Sequence, residues 1–238
     1  MNDLHDRLKN IQHRILAAEQ KFNRPAGSVS LLAVSKGHDF EAIARLAQAG
    51  QSAFGENTLQ EALQKISALA AISMSPPPHW HFLGKVQTNK TRDIAQHFSW
   101  VHSVYRAQEA TALSKYRSSD FPPLNICLQI KLDPRPHKLG IAPDLHEINS
   151  LIDHILTLPT LRLRGLMSLP PYIEDPAEQQ AYFHTIKILF ESLKKQHPTL
   201  ALDTLSMGMT HDFESAIAQG ATWVRIGTAI FGPRNQEK

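Results

Sequence analysis

Short apolar runs along this chain alternate with segments in which apolar residues recur at helical spacing. The clearest run is Leu31–Val34, four apolar residues in succession, which is typical of a strand buried on both faces of a parallel sheet. Eight strands are predicted, at Ser30–Ser35, Ser52–Gly55, Trp80–Gly84, Trp100–Val104, Leu124–Leu132, Leu161–Ser168, Leu202–Ser206 and Thr222–Ile226.

The intervening segments predict helices that keep one apolar face. These helices are marked by the apolar residues of Phe40–Ala47, Leu59–Leu69, Leu145–Ile155 and Ala181–Leu193, and they follow an N-terminal amphipathic helix with Leu4, Leu8, Ile11, Ile15 and Leu16 on one face. Strands that alternate with helices imply parallel strands and right-handed crossovers. Eight such units predict an α/β fold, a (β/α)₈ TIM barrel with an extra N-terminal helix, as a single domain over residues 1–238. An open doubly wound sheet is the alternative.

Composition and charge exclude several classes of protein. The 238 residues carry a net charge of +3 without a dense basic block, so nucleic-acid binding is not expected. No apolar run approaches the roughly 20 residues of a membrane span, and the N-terminal pattern is not that of a signal peptide. The single cysteine, Cys127, lies in an apolar run, where it is expected to pack as a small hydrophobe. The 13 histidines are scattered and predict no metal site. A cytoplasmic monomer is expected.

Lys36 ends the first predicted strand, where a parallel barrel places its active site. An ammonium group that is half inside a protein loses hydration, which favours the neutral amine. A neutral amine can form a Schiff base with an aldehyde or a ketone. The alternative for an isolated lysine at this position is an ordinary surface residue.

Glycines and hydroxyl residues follow the last two predicted strands, at Ser206–Thr210 and Gly227–Thr228. Backbone N–H groups in such loops can converge on an anion, and many barrels bind phosphate after strands seven and eight. Arg225 lies within the last strand, and a buried charge needs a partner. That partner is either a core carboxylate such as Glu56 or a ring nitrogen of a bound heterocycle.

A Schiff-base lysine, a phosphate cradle and a buried arginine together describe a pyridoxal 5′-phosphate (PLP) site. At this point the segments LLAVSK, FGEN, HWHFLGKVQTNK, GLMSLP, LSMGMTHDFESAIAQGAT and VRIGTAIFG resemble the YggS/PROSC family of pyridoxal phosphate homeostasis proteins. The segments run in order from Leu31 to Gly232, and the last two are the most specific. The resemblance implies a fold-type III PLP-binding barrel like the N-terminal barrel of alanine racemase.

The resemblance also implies residue roles. Lys36 would carry the cofactor as an internal aldimine, Asn57 would lie beside the ring, and Arg225 would face the pyridine nitrogen. The phosphate would be held by Ser206, Gly227 and Thr228, with backbone from Met207 and with Thr210.

The sequence departs from the family pattern at two places. Gly37-His38-Asp39 follows the lysine, where the family usually has threonine or asparagine and then proline. Lys131, Arg135 and His137 precede Lys138, where the family usually has an asparagine and a glutamate. The second departure adds positive charge at the expected barrel mouth.

Two functions remain open, and the sequence favours a carrier. A PLP-dependent racemase of the alanine racemase type needs a second acid/base opposite the lysine, which a tyrosine of another domain supplies in that enzyme. Here the chain ends six residues after Gly232, and none of the four tyrosines is predicted at a strand end. The expectation is therefore a non-catalytic protein that binds PLP, maintains vitamin B6 homeostasis and can deliver PLP to apo-enzymes. A Schiff-base aldolase without cofactor ranks last.

Overall fold

A closed barrel of eight parallel strands forms the body of the computed structural model, which describes residues 3–72, 74–133, 135 and 138–233. The strands are β1 (Ser30–Val34), β2 (Ala53–Glu56), β3 (His79–Phe82), β4 (Trp100–Val104), β5 (Leu124–Ile130), β6 (Leu161–Ser168), β7 (Thr204–Ser206) and β8 (Trp223–Ile226). Each strand pairs with the next along the chain, and β8 closes on β1 with Arg225 opposite Leu32. The predicted (β/α)₈ barrel is confirmed, and the open sheet is wrong.

Helices cover the outside of the barrel. They are α1 (Asp3–Lys21), α2 (Phe40–Gln48), α3 (Leu59–Ala71), α4 (Thr91–His97), α5 (Ala107–Tyr116), α6 (Leu145–Leu156), α7 (Pro176–Gln196), α8 (Phe213–Ala218) and α9 (Thr228–Phe231). The extra N-terminal helix α1 packs against α2, α8 and α9. Aspartates cap the starts of α2, α6 and α7, where their side chains accept hydrogen bonds from backbone N–H groups of the first turn.

The predicted helices are all present, but α4, α5, α8 and α9 were not predicted. Three residues assigned to apolar faces are exposed: Leu16 of α1, Ala181 of α7 and Leu145 of α6. Leu16 is 40% exposed because Leu8, Ile11 and Ile15 already fill the buried face of its helix. The expectation of one domain over residues 1–238 stays a prediction.

Apolar packing lies mainly between the strands and the helices. The largest fully buried side chains are Phe54, Phe82, Phe98, Phe183 and Phe213. The rings of Phe82 on β3 and Phe98 after α4 meet edge to face, with centroids 5.3 Å apart. Cys127 is fully buried, as predicted, and burial raises the pKa of its thiol.

Polar side chains occupy the inside of the barrel. His102 of β4 bonds to Ser206 of β7, and Arg225 of β8 bonds to Ser168 of β6. Neither pair of strands is adjacent, so these bonds cross the barrel interior. Among the helices of the described residues, none is long and apolar enough to span a bilayer.

Candidate functional site

A cavity of about 290 Å³ opens at the carboxyl ends of the strands. Six of the residues predicted for the site line it: Lys36, Asn57, Thr210, Arg225, Gly227 and Thr228. Its apolar lining comes from Met167 and Met209, which the sequence placed at strand ends, and from Val34, Leu83 and Leu169, while His38 and His211 complete it. Apolar walls with a few converging polar groups are typical of small-molecule sites. A larger, open groove of about 1230 Å³ lies beside α1, α2 and α3 and shares His38.

The backbone on both sides of Lys36 is held by side chains of α3. Lys65 Nζ donates to the carbonyl of Ser35 at 2.7 Å, and Gly37 N–H donates to Glu61 Oε1 at 2.5 Å. Lys65 and Glu61 also form an ion pair with each other at 2.6 Å. The peptide groups that flank Lys36 are therefore fixed, while its half-buried side chain reaches the cavity.

Glu56 completes this ion cluster. Its Oε1 accepts from Lys65 Nζ at 2.7 Å and from the Ser35 hydroxyl at 2.6 Å, and its Oε2 is buried without a partner among the described residues. Burial raises the pKa of Glu56, against the opposing effect of Lys65. Glu56 is thus not the partner of Arg225, as one alternative from the sequence had it, because Lys65 already occupies its carboxylate.

Arg225 is 4% exposed, and its hydrogen-bond partners lie at the ends of β6 and β7. Its Nη1 donates to the carbonyl of Ser206 at 2.5 Å and to the Ser206 hydroxyl at 2.9 Å, and its Nη2 donates to the carbonyl of Ser168 at 2.8 Å. Burial lowers the pKa of Arg225 to about 10, which leaves it charged at neutral pH. A guanidinium has further N–H donors, so Arg225 can also donate a hydrogen bond to an acceptor in the cavity.

The Ser206 hydroxyl is engaged below the cavity. It bonds to His102 Nδ1 at 2.8 Å, and His102 Nε2 in turn bonds to His81 Nδ1 at 2.9 Å. His81 stacks on Trp100 with centroids 5.4 Å apart. Burial and the nearby Arg225 charge lower the pKa of His102 to about 3, and burial lowers that of His81 as well. Both imidazoles are therefore neutral at pH 7.

The two predicted phosphate residues that do not line the cavity are Ser206 and Met207. Both are fully buried, and the Met207 N–H donates to the carbonyl of Trp223. Gly208 follows with φ of +96°, and a Cβ there would lie 2.7 Å from Ala216. Glycine therefore lets the chain turn tightly against α8 and bring Thr210 to the cavity.

The start of α9 forms the other side of the cavity. Gly227 precedes its first residue, Thr228, and no side chain caps the helix. A Cβ at Gly227 would lie 3.1 Å from the carbonyl of Val34, so this position favours glycine. Gly227, Thr228 and Thr210 therefore line the same cavity as Lys36 and Arg225.

The expectation that no tyrosine lies at a strand end is wrong for Tyr105, which directly follows β4. Tyr182, on α7, also reaches a strand end, because its hydroxyl lies 2.9 Å from that of Ser168. Neither tyrosine lines the cavity.

The basic segment after β5 contains an internal ion pair, between Arg135 and Asp133. Hydrogen bonds from Arg135 hold the pKa of Asp133 below its usual range. Lys131 of the same departure from the family pattern is half-buried, and His137 lies outside the described residues. Within the described part of the chain, no cluster of His, Cys, Asp and Glu could hold a metal ion.

Residues 7–235 match the family described as alanine racemase, N-terminal domain. This chain belongs to that family. Over 99% of its length, this chain is 45% identical to a "Pyridoxal phosphate homeostasis protein" of Pseudomonas aeruginosa, of which it covers 97%. It is 41% identical to the protein of the same name from Escherichia coli K12, over the full length of both. These relatives confirm the resemblance to the YggS/PROSC family.

Solved structures of family members agree with this fold. PipY of Synechococcus elongatus PCC7942, solved with PLP bound, is 38% identical, with a TM-score of 0.80 over 93% of this chain and 100% of that one. Alanine racemase from Corynebacterium glutamicum is 18% identical, with a TM-score of 0.65 over 97% of this chain and 64% of that one. At that identity the likeness shows the fold alone.

The buried His102 makes stability depend on pH. Its pKa is about 3 in the folded protein against 6.5 as the ordinary value, so the unfolded chain binds more protons below pH 6.5. Its stabilising contribution is therefore present above pH 6.5 and is lost as the pH falls towards 3. Between pH 8 and pH 5 the loss from His102 is about 2 kcal/mol.

Urea unfolding at these two pH values measures the effect. His102→Leu should lower stability at both values but reduce the loss on acidification, whereas the exposed His146→Asn should leave that loss unchanged. If His102→Leu lost as much stability between pH 8 and pH 5 as wild type, the attribution of this loss to His102 would be wrong.

Proposed function

We propose that this protein is a non-catalytic carrier that binds PLP at the barrel mouth and maintains PLP and vitamin B6 homeostasis. The observation that carries the proposal is the meeting of Lys36, Arg225 and Thr228 in one cavity. The names of its relatives in Pseudomonas aeruginosa and Escherichia coli support the same function.

The cavity fits PLP in size and in chemistry. Its volume of about 290 Å³ lies near the lower end for ligand sites, as a single-ring ligand requires. The lining offers an amine for the aldehyde, hydroxyl and backbone groups for the phosphate, and a guanidinium for the ring nitrogen. PLP, when bound, supplies an electrophilic aldehyde.

Lys36 provides the reversible attachment. Its amine would condense with the aldehyde carbon, forming a C=N bond with loss of the carbonyl oxygen as water. Addition of water reverses the step and returns the free amine and the free aldehyde. The fixed peptide groups of Ser35 and Gly37 hold the lysine at the cavity throughout.

Thr210, Gly227 and Thr228 are proposed to hold the phosphate, and Asn57 to lie beside the ring. The hydroxyls and the uncapped start of α9 provide donors for an anion in the cavity that these residues line. The sequence also predicted the backbone of Met207 and the side chain of Ser206 at the phosphate, but both are engaged elsewhere in the barrel and are left out of the proposed phosphate site.

Arg225 favours a carrier over a racemase. An arginine holds the pyridine nitrogen unprotonated, which weakens the ring as an electron sink, whereas a carboxylate would stabilise its proton. The second acid/base of the alanine racemase type is a tyrosine, and neither Tyr105 nor Tyr182 lines the cavity. We propose further that the protein is a single-domain cytoplasmic monomer, and that apo-enzymes receive PLP from it.

PLP should be bound covalently to Lys36. The loaded protein should be yellow, and borohydride reduction followed by peptide mass spectrometry should find the pyridoxyl group on Lys36. Lys36→Ala should lose the absorption band and remain folded, because a half-buried lysine at a strand end contributes little packing. The exposed Lys85→Ala is the matched control and should keep the band. Modification at another lysine would overturn the assignment.

Thr228→Val tests the phosphate site, because it removes a hydroxyl and keeps a similar volume. The expected loss is about 1.5–3 kcal/mol, roughly ten- to a hundredfold in PLP affinity. Pyridoxal, which lacks the phosphate, should bind wild type and variant almost equally in the same titration. Thr185→Val, exposed on α7, is the control and should leave both affinities unchanged. An equal loss for pyridoxal would show that the mutation acts through the fold.

The carrier reading predicts no useful turnover of amino acids. A general acid/base contributes about 10²–10⁴-fold, so a site without the tyrosine of the alanine racemase type should show at most a slow side reaction. Chiral chromatography after long incubation with L-amino acids measures this, and multiple turnovers per second would exclude a carrier.

Transfer of PLP to an apo-enzyme is measured by mixing loaded protein with the apo-enzyme and a scavenger of free PLP. Reactivation is expected, and its failure would reduce the role to storage.

A further inference from the structure

Ser206 lies at a junction between the cavity and the barrel interior. Its carbonyl and its hydroxyl both accept from Nη1 of Arg225, at 2.5 and 2.9 Å. Arg225 lines the cavity and Ser206 does not, so the serine contacts the arginine outside the cavity lining. Its position indicates a role that differs from phosphate binding.

The hydrogen bonds at Ser206 can be assigned a direction, from donor to acceptor. Arginine can only donate, so the Ser206 oxygen accepts from it and has its single proton left to donate. The acceptor within reach is His102 Nδ1, at 2.8 Å. We assign the direction in which the hydroxyl donates to Nδ1, so that His102 carries its proton on Nε2 and donates to His81 Nδ1 at 2.9 Å. The chain thus runs from Arg225 through Ser206 and His102 to His81.

We propose that Ser206 and His102 are positioning residues for Arg225, which they fix so that it faces the ring nitrogen of the bound cofactor. The proposal rests on the proposed function and deepens it. A serine hydroxyl that donates to His102 cannot rotate away, and its lone pairs stay directed at Nη1 of Arg225. Without His102 the hydroxyl is free to rotate, and one of the three bonds that hold the guanidinium weakens.

If Ser206 and His102 position Arg225, their loss should lower the affinity for ligands that have the ring nitrogen, whether or not those ligands carry a phosphate. Affinities are measured for PLP, for pyridoxal and for a PLP analogue with CH in place of the ring nitrogen. Ser206→Ala and His102→Leu should weaken PLP and pyridoxal alike, by roughly three- to tenfold, and should leave the CH analogue unchanged. His102→Asn, whose Oδ1 lies about where the imidazole has Nδ1, should restore most of the binding.

Two controls accompany these variants. Ser215→Ala removes another buried serine hydroxyl, one that bonds to Gln179, and should change none of the three affinities. In wild type, ¹⁵N NMR of the imidazoles should find the His102 proton on Nε2, which requires no variant to fold.

Each other pattern overturns the proposal. A loss in Ser206→Ala confined to PLP would make the serine a phosphate ligand, and an equal loss for all three ligands would make it a general packing residue. No loss, or a His102 proton on Nδ1, would also refute the positioning role. If wild type binds none of the ligands, the proposed function itself fails, which is a distinguishable result.

Discussion

The structure depends on one buried charge, the guanidinium of Arg225 inside the barrel. Removing such a group from water is costly unless hydrogen bonds replace the lost hydration. The two serine carbonyls at the ends of β6 and β7 and the hydroxyl of Ser206 provide those bonds. The ends of β6 and β7 are thereby bonded to a side chain of β8, and the cavity acquires a positively charged wall.

A second group of buried charges acts on the other side of the cavity. Lys65 is 6% exposed and pairs with both Glu56 and Glu61, so one ammonium group is shared between two carboxyl groups. Buried ion pairs contribute little net stability compared with apolar packing, but breaking one is costly. We interpret this cluster as one that fixes the position of Lys36, because two of its members bond the backbone on either side of that residue.

Much of the fold could be predicted because a buried parallel strand has a continuous apolar run. Helices α4 and α5 lie between predicted strands, yet they are short and their apolar faces hold few large residues. The positions of Lys36, Arg225 and Thr228 followed from the rule that barrel sites lie at strand ends. Those assignments needed only the order of elements along the chain.

The hydrogen-bond chain could not be predicted in the same way. His102 and Ser206 are 104 residues apart and lie on strands that are not neighbours. Which residues of a strand point inward depends on the tilt and stagger of the closed barrel, and apolar periodicity does not contain that information. A signal did exist, since histidines occur within two adjacent predicted strands, and a polar ring there indicates polar partners inside.

The anchoring of Ser35 and Gly37 also bears on how quickly a carrier can release its cargo. A segment bonded to α3 on both sides of the reactive lysine is a poor hinge, and only the lysine side chain can swing. If Lys36 holds PLP as proposed, release would need water at the carbon–nitrogen double bond and no opening of this segment. Hydration of the cavity mouth would then set the rate of supply.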